Sequence, residues 1–179
     1  MRVIAGTAGS LALKYPKGAE IRPTTDRVRE ALFNALMADV PGSRFLDLYA
    51  GSGSVGIEAL SRGAEFATFV DRSQHCIEAI TANLDHTGLA DRAVVIQREL
   101  PTSVKEVWQK RGPFDIVFAD PPYETDHAAL LEAFAGLPVS EPVLFVLECS
   151  VRNEPDSDGL RVIHRQEIGE TVLAWWEQP

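Results

Sequence analysis

The sequence predicts an α/β fold built on a doubly wound, mostly parallel sheet. Three observations carry this. Short apolar runs alternate with amphipathic helical stretches along most of the chain. The first of these runs ends in a glycine-rich turn, Gly51-Ser-Gly-Ser-Val-Gly56, which opens a helix. The last two runs fall on either side of Gly169 with no helix between them, as a terminal hairpin requires.

The elements follow in order. FLDLYA (45–50) is a buried strand, and SVGIEALSRG after it is a short helix closed by Gly63. EFATFVD (65–71) is a second strand that ends in an acid. SQHCIEAITANLDHTG is a helix with Ile77, Ile80 and Leu84 on one stripe and Gly88 as its stop. AVVIQRE is a third strand, and PTSVKEVWQKRG a helix with proline in its first turn. FDIVFAD is a fourth strand, HAALLEAFAGL a helix and VLFVLECS a fifth strand. LRVIHRQEIGETVLAWW supplies the terminal pair, which makes seven strands. Right-handed crossovers place every strand-to-helix loop on one rim, where open sheets of this kind bind ligands. Residues 1–20 read as a small β-hairpin, and 25–38 as a helix with Val28, Leu32, Leu36 and Met37 facing inward and Arg27, Glu30 and Asn34 outward. The predicted division is 1–38 as an extension that leans on the sheet, and 39–179 as the main domain. Residues 153–159 read as a loop.

Composition bounds the function. The chain has 179 residues, 45% of them hydrophobic, which suits a single core. No run approaches the roughly 18 apolar residues of a membrane span, and a soluble, cytoplasmic, monomeric protein is expected. Cys76 and Cys149 are expected as buried free thiols, and the scattered histidines and cysteines form no metal-binding spacing, so no metal is expected. Net charge is −9, but residues 1–30 hold six basic and three acidic groups, leaving 11 basic and 23 acidic in the rest. A basic patch on an acidic body can still dock on phosphates. Its candidates are Lys14, Lys17, Arg22, Arg27 and Arg29.

The glycine turn lies between a strand and a helix, the context in which such a turn lets the backbone approach a nucleoside ligand. Asp71, twenty residues after Gly51 at the end of the second strand, is placed to accept from ribose hydroxyls. Asp47 precedes the glycines, where a carboxylate would repel a pyrophosphate. With Asp71 and Asp120 it would ring a cationic ligand, and S-adenosylmethionine carries an ammonium and a sulfonium. Tyr49, Gly51, Gly53, Gly56, Arg72, Glu99 and Leu100 complete the candidate cofactor site. Glu99 reads equally as an acid for the adenine end or as a solvated loop residue.

Asp120-Pro121-Pro122-Tyr123 follows the fourth strand. Proline fixes φ and removes donors, which leaves the Asp120 carboxylate and the Pro121 carbonyl as a pair of acceptors. Such a pair suits an exocyclic base amine, whose lone pair must be rotated out of the ring before it can attack a methyl. Tyr123 offers a stacking face, worth about 1–3 kcal/mol per base, for a base taken out of its stack.

DLYAGSGSVGIEAL (47–60), Asp71 and DPPY (120–123) resemble class I S-adenosylmethionine-dependent methyltransferases that act on base amines. The string RVIAGTAGSLALKYP…RPTTDRVREALFNAL (2–36) is more specific and resembles the RsmD-type 16S ribosomal RNA guanine-N2 methyltransferases. The resemblance runs over essentially the whole chain. It implies a seven-stranded methyltransferase sheet, N2-methylation of the guanine at position 966, and a substrate organised in the small ribosomal subunit. It also implies that the Asp47–Gly56 loop and Asp71 bind the cofactor, that Asp120, Pro121 and Tyr123 hold the amine, and that the N-terminal hairpin and the Arg22–Arg29 segment meet rRNA. Rival readings are a DNA adenine-N6 or cytosine-N4 methyltransferase, an NAD-dependent oxidoreductase and a non-catalytic assembly factor.

Overall fold

The computed structural model describes residues 1–16, 24–122, 124–155 and 159–178. The chain runs through helix α1 (Asp26–Ala35), strand β1 (Arg44–Leu48), α2 (Ser54–Ser61), β2 (Phe66–Asp71), α3 (Gln74–Thr87), β3 (Ala93–Gln97), α4 (Val104–Arg111), β4 (Ile116–Ala119), α5 (His127–Ala135), β5 (Leu144–Ser150), β6 (Arg161–Ile168) and β7 (Thr171–Glu177). The seven strands form one sheet in the order β3-β2-β1-β4-β5-β7-β6. Strands β1 to β5 are parallel, and β7 runs antiparallel between β5 and β6. The strand order reverses between β1 and β4, so the crevice at their carboxyl ends is where a ligand is expected.

Strand alternation divides the core in two. Phe45, Phe69, Ile116, Phe118, Val146 and Trp175 lie on the face covered by α1, α2 and α3. Leu46, Leu48, Val117, Phe145, Leu147 and Trp176 lie on the face of α4 and α5. The adjacent Trp175 and Trp176 are thus both buried, one in each layer.

Local signals explain the helix ends. The Thr25 side chain accepts from the Val28 N–H and starts α1, and Asp126 accepts from the Ala129 N–H and starts α5. Gly88, at φ 70°, closes α3 in the left-handed conformation. The buried stripe of α3 is Cys76, Ala79, Ile80, Asn83 and Leu84, with Ile77 half-buried. Pro101 stands before α4 instead of inside its first turn. Helix α1 stops at Ala35, so Met37 lies beyond it and is 73% exposed, contrary to its expected inward position.

Among the described residues the expected N-terminal hairpin shows one antiparallel bridge, Arg2–Ala12, with the Val3 N–H donating to the Leu11 carbonyl, the Ser10 N–H to the Val3 carbonyl and the Leu13 N–H to the Met1 carbonyl; residues 17–20 lie outside the described residues. Side chains of α2 hold it in place. The Glu58 carboxylate, fully buried, accepts from the Ile4 and Ala5 N–H groups and from Arg62 Nε. Ser61 Oγ donates to the Ala5 carbonyl and accepts from the Ala8 N–H. Val3, Ala8 and Leu13 join the same core as Leu32, Phe33 and Ile57.

Candidate active site

Alternation along β1 turns Asp47 to the α2 face, where its Oδ2 accepts from the Gly56 N–H at 2.8 Å. Gly56 must be glycine. A Cβ there would sit 2.3 Å from Phe69 Cε1 and 3.1 Å from Asp47 Oδ2. The turn before it needs two left-handed residues, Gly51 at φ 57° and Gly53 at φ 77°. Asp71, at the end of β2, pins this turn. Its Oδ2 accepts from the Gly51 N–H at 2.9 Å and its Oδ1 from the Ser73 N–H at 2.8 Å. A carboxylate oxygen can accept more than one bond, so a ribose hydroxyl can share these atoms.

Asp120 follows the last residue of β4 and is half-buried. Thr24 Oγ1 donates to its Oδ2 at 3.2 Å. Pro121 is buried and Pro122 exposed. The Pro122 carbonyl accepts from the Thr125 N–H, whereas no described backbone N–H donates to the Pro121 carbonyl. Tyr123 lies outside the described residues.

These acids feel one another. Burial pushes the Asp47 carboxyl well above the usual carboxylate range; the Gly56 N–H opposes this, and the charges of Asp120 and Asp71 reinforce it. A buried carboxylate with two acidic neighbours is unfavourable in the free protein, and a cation in the crevice reverses that. This set of carboxylate acceptors therefore fits the ammonium and sulfonium of S-adenosylmethionine better than a dinucleotide phosphate.

A second group lines the rim beyond β1 and β2. Tyr49 has a left-handed backbone, φ 56°, unusual for a residue with a side chain. Its hydroxyl is buried beside Thr125 without a bond of good geometry among the described residues, and burial and then the Glu99 charge, opposed by Arg72, push it up to about 12. Arg72 and Glu99 form an exposed ion pair at 3.5 Å. Leu100 is buried and packs in the α4–α5 core. Tyr49, Arg72 and Glu99 thus gather around one corner, and Asp47, Asp71, Asp120 and the glycines around the next.

Among the expected RNA-contacting residues, Lys14 and Arg27 are exposed, and Lys17 and Arg22 lie outside the described residues. Arg29 is a correction. It is fully buried, with Nη2 donating to the Arg2 carbonyl and to Asp26 Oδ1, both at 2.7 Å. It bolts the N-terminal bridge to α1 and offers no surface to a phosphate. Thr24 belongs with the candidate site through its bond to Asp120, and the sequence carries no signal of that contact; its neighbour Thr25 is the cap of α1.

Residues 1–177 match the family described as Conserved hypothetical protein 95. Ribosomal RNA small subunit methyltransferase D of Escherichia coli K12 is 34% identical over 178 residues, which cover 96% of this chain and 86% of that protein. The protein of the same name from Haemophilus influenzae is 39% identical over 124 residues, 69% of this chain and 64% of that one. A solved hypothetical protein from Thermus thermophilus superposes with a TM-score of 0.83 at 34% identity, covering 98% of both chains. Fold and site define a class I S-adenosylmethionine-dependent methyltransferase. Within that class the chain belongs to the RsmD family, the one that Conserved hypothetical protein 95 describes.

Proposed function

We propose that this chain transfers a methyl group from S-adenosylmethionine to the N2 amine of a guanine in 16S rRNA, within the small ribosomal subunit or its precursor. The position implied by the family resemblance is 966. The observation that carries the chemistry is the placement of Asp120. Its carboxylate follows the end of β4 at the switch point, close enough to Asp47 to raise that residue's pKa, and next to a Pro121 carbonyl to which no described backbone N–H donates. The name of the E. coli relative supports the RNA substrate.

Bound S-adenosylmethionine supplies an electrophilic methyl on a sulfonium. The chain contributes position and charge. Asp47 and the Gly51–Gly56 backbone hold the charged end of the donor, and Asp71 its ribose. Asp120 and the Pro121 carbonyl accept the two N–H bonds of the target amine, which turns its lone pair out of the ring. Thr24 orients the Asp120 carboxylate for that bond by donating to Oδ2. Asp120 holds the proton that the amine loses until water removes it. Tyr123 stacks on the base. The exposed Lys14 and Arg27 face the phosphates, and the sequence adds Lys17 and Arg22 to the same basic segment, while the acidic remainder of the chain disfavours naked RNA and so favours docking on an assembled particle.

The test is methyl transfer from labelled donor to undermethylated small subunits, naked rRNA and DNA, with nucleoside mass spectrometry of the products. N2-methylguanine in the subunits, absent with Asp120→Ala although that variant still binds S-adenosylhomocysteine, is the expected result. Equal or greater incorporation into DNA, or an active Asp120→Ala enzyme, overturns the reading.

A further inference from the structure

Asn83 is fully buried in the middle of α3, and its carboxamide makes three hydrogen bonds that reach far along the chain. Oδ1 accepts from the Lys14 N–H at 2.8 Å. Nδ2 donates to the Lys14 carbonyl at 3.0 Å and to the Ser52 carbonyl at 2.9 Å. One rigid planar group therefore grips both backbone groups of a residue in the N-terminal arm and the central peptide of the glycine turn. Its orientation is settled chemically, since a flipped amide would set two donors against an N–H and an oxygen against carbonyls. Lys14 and Tyr15 are both exposed where the arm leaves this grip, so Asn83 fixes the place from which a cation and an aromatic ring project.

We propose that Asn83 is a positioning residue that couples donor binding to RNA binding, by tying the Ser52 peptide of the cofactor turn to Lys14 of the RNA-facing arm. The inference rests on the rRNA reading above, because that reading gives the arm its partner. The donor binds against the Gly51–Gly53 backbone, so any adjustment of Ser52 is passed through an amide whose two donors are both engaged. Order imposed on the turn becomes order in the arm, and by thermodynamic reciprocity RNA engaged by Lys14 and Tyr15 stabilises the turn. No group other than the Asn83 carboxamide makes hydrogen bonds to both segments among the described residues.

The experiment measures the affinity of the full-length chain for undermethylated small subunits with and without saturating S-adenosylhomocysteine, for wild type and for Asn83→Ala. In the wild type the cofactor product tightens subunit binding about fivefold or more, the lower end of ordinary coupling. In Asn83→Ala both ligands still bind, each more weakly, and the cofactor's effect on subunit affinity falls to within about twofold of none. A residue of merely structural importance would lower stability and leave that ratio intact, so a retained ratio overturns the inference while the rRNA reading stands. Failure of the wild type to bind subunits at all overturns both. If Asn83→Ala does not fold, hydrogen exchange on the wild-type chain decides. S-adenosylhomocysteine slows exchange of the Lys14 amide, and an unchanged rate there, with protection confined to residues 51–56, refutes the coupling.

Discussion

Replacing Gly56 by alanine tests the packing that sets the cofactor site. The added Cβ would meet Phe69 Cε1 at 2.3 Å, Phe69 Cζ at 2.7 Å and Asp47 Oδ2 at 3.1 Å. Carbon atoms rest at about 3.5–4.0 Å, so α2 or the Phe69 ring must move by more than about 1 Å. Phe69 has no exposed surface and sits in the core shared with Phe45, Ile57 and Phe118, so it has nowhere to go without disturbing them. Overpacking of this kind costs about 1–3 kcal/mol, and the gain from replacing a helical glycine by alanine returns up to about 1 kcal/mol. With that gain at its full value the net loss is about 0–2 kcal/mol, a fall in Tm of up to about 8 °C for a chain of this length. The same displacement stretches the Gly56 N–H bond to Asp47, so affinity for S-adenosylhomocysteine falls with the stability. Thermal unfolding and calorimetric titration of the variant measure both. An unchanged Tm together with unchanged affinity would refute the close approach of α2 to β1 and β2.

Binding of the donor is expected to depend on pH, with Asp47 in the proposed cofactor site. Its carboxyl is lifted in the free protein, so its ionisation costs stability as pH rises through the lifted value, and a cation beside it recovers that cost. Affinity for S-adenosylmethionine therefore climbs with pH over that window and binding expels protons, which titration in buffers of different ionisation enthalpy detects. Glu58→Gln keeps the shape but loses the charge that accepts from Ile4, Ala5 and Arg62, and it should cost about 1.5–3 kcal/mol in denaturant unfolding and speed proteolytic trimming of the first residues. Arg27→Ala weakens binding to small subunits with little effect on Tm, whereas Arg29→Ala lowers Tm, because the first guanidinium is exposed and the second is buried. Burial pushes the Cys76 thiol up to about 11 and the Cys149 thiol up to about 12. At pH 8 about one thiol in a thousand or fewer is ionised, and alkylation by iodoacetamide should be slow until the chain is unfolded.

The sheet was legible because its signals are local. Each strand from β1 to β5 is a short apolar run whose alternate residues enter two different cores, and Gly51, Gly53 and Gly88 announce their turns by the left-handed conformations they adopt. The acids Asp47, Asp71 and Asp120 were legible for the same reason, since each stands at or near a strand end and the strand order carries it to one crevice. What sequence reasoning missed is long-range. Arg29 reads as part of a phosphate-docking patch until the Arg2 carbonyl, 27 residues away, is found against it. Asn83 carries no signal in the sequence, because its partners Lys14 and Ser52 arrive from 69 and 31 residues away. Thr24 meets Asp120 across 96 residues. No periodicity encodes such pairings, because a side chain that satisfies distant backbone groups obeys no helical or strand repeat. Met37 failed for a simpler reason, since a helix pattern was carried past the point where α1 ends.

A structure determined with S-adenosylhomocysteine bound would test the arrangement of donor and acceptor most directly. The expected result is a ligand lying along the Gly51–Gly56 turn, its amino group on the Asp47 side, its ribose on Asp71, and its sulfur facing the crevice edge that Asp120 and Pro121 form. A ligand seated away from that turn, or one whose sulfur faces away from Asp120, would contradict it.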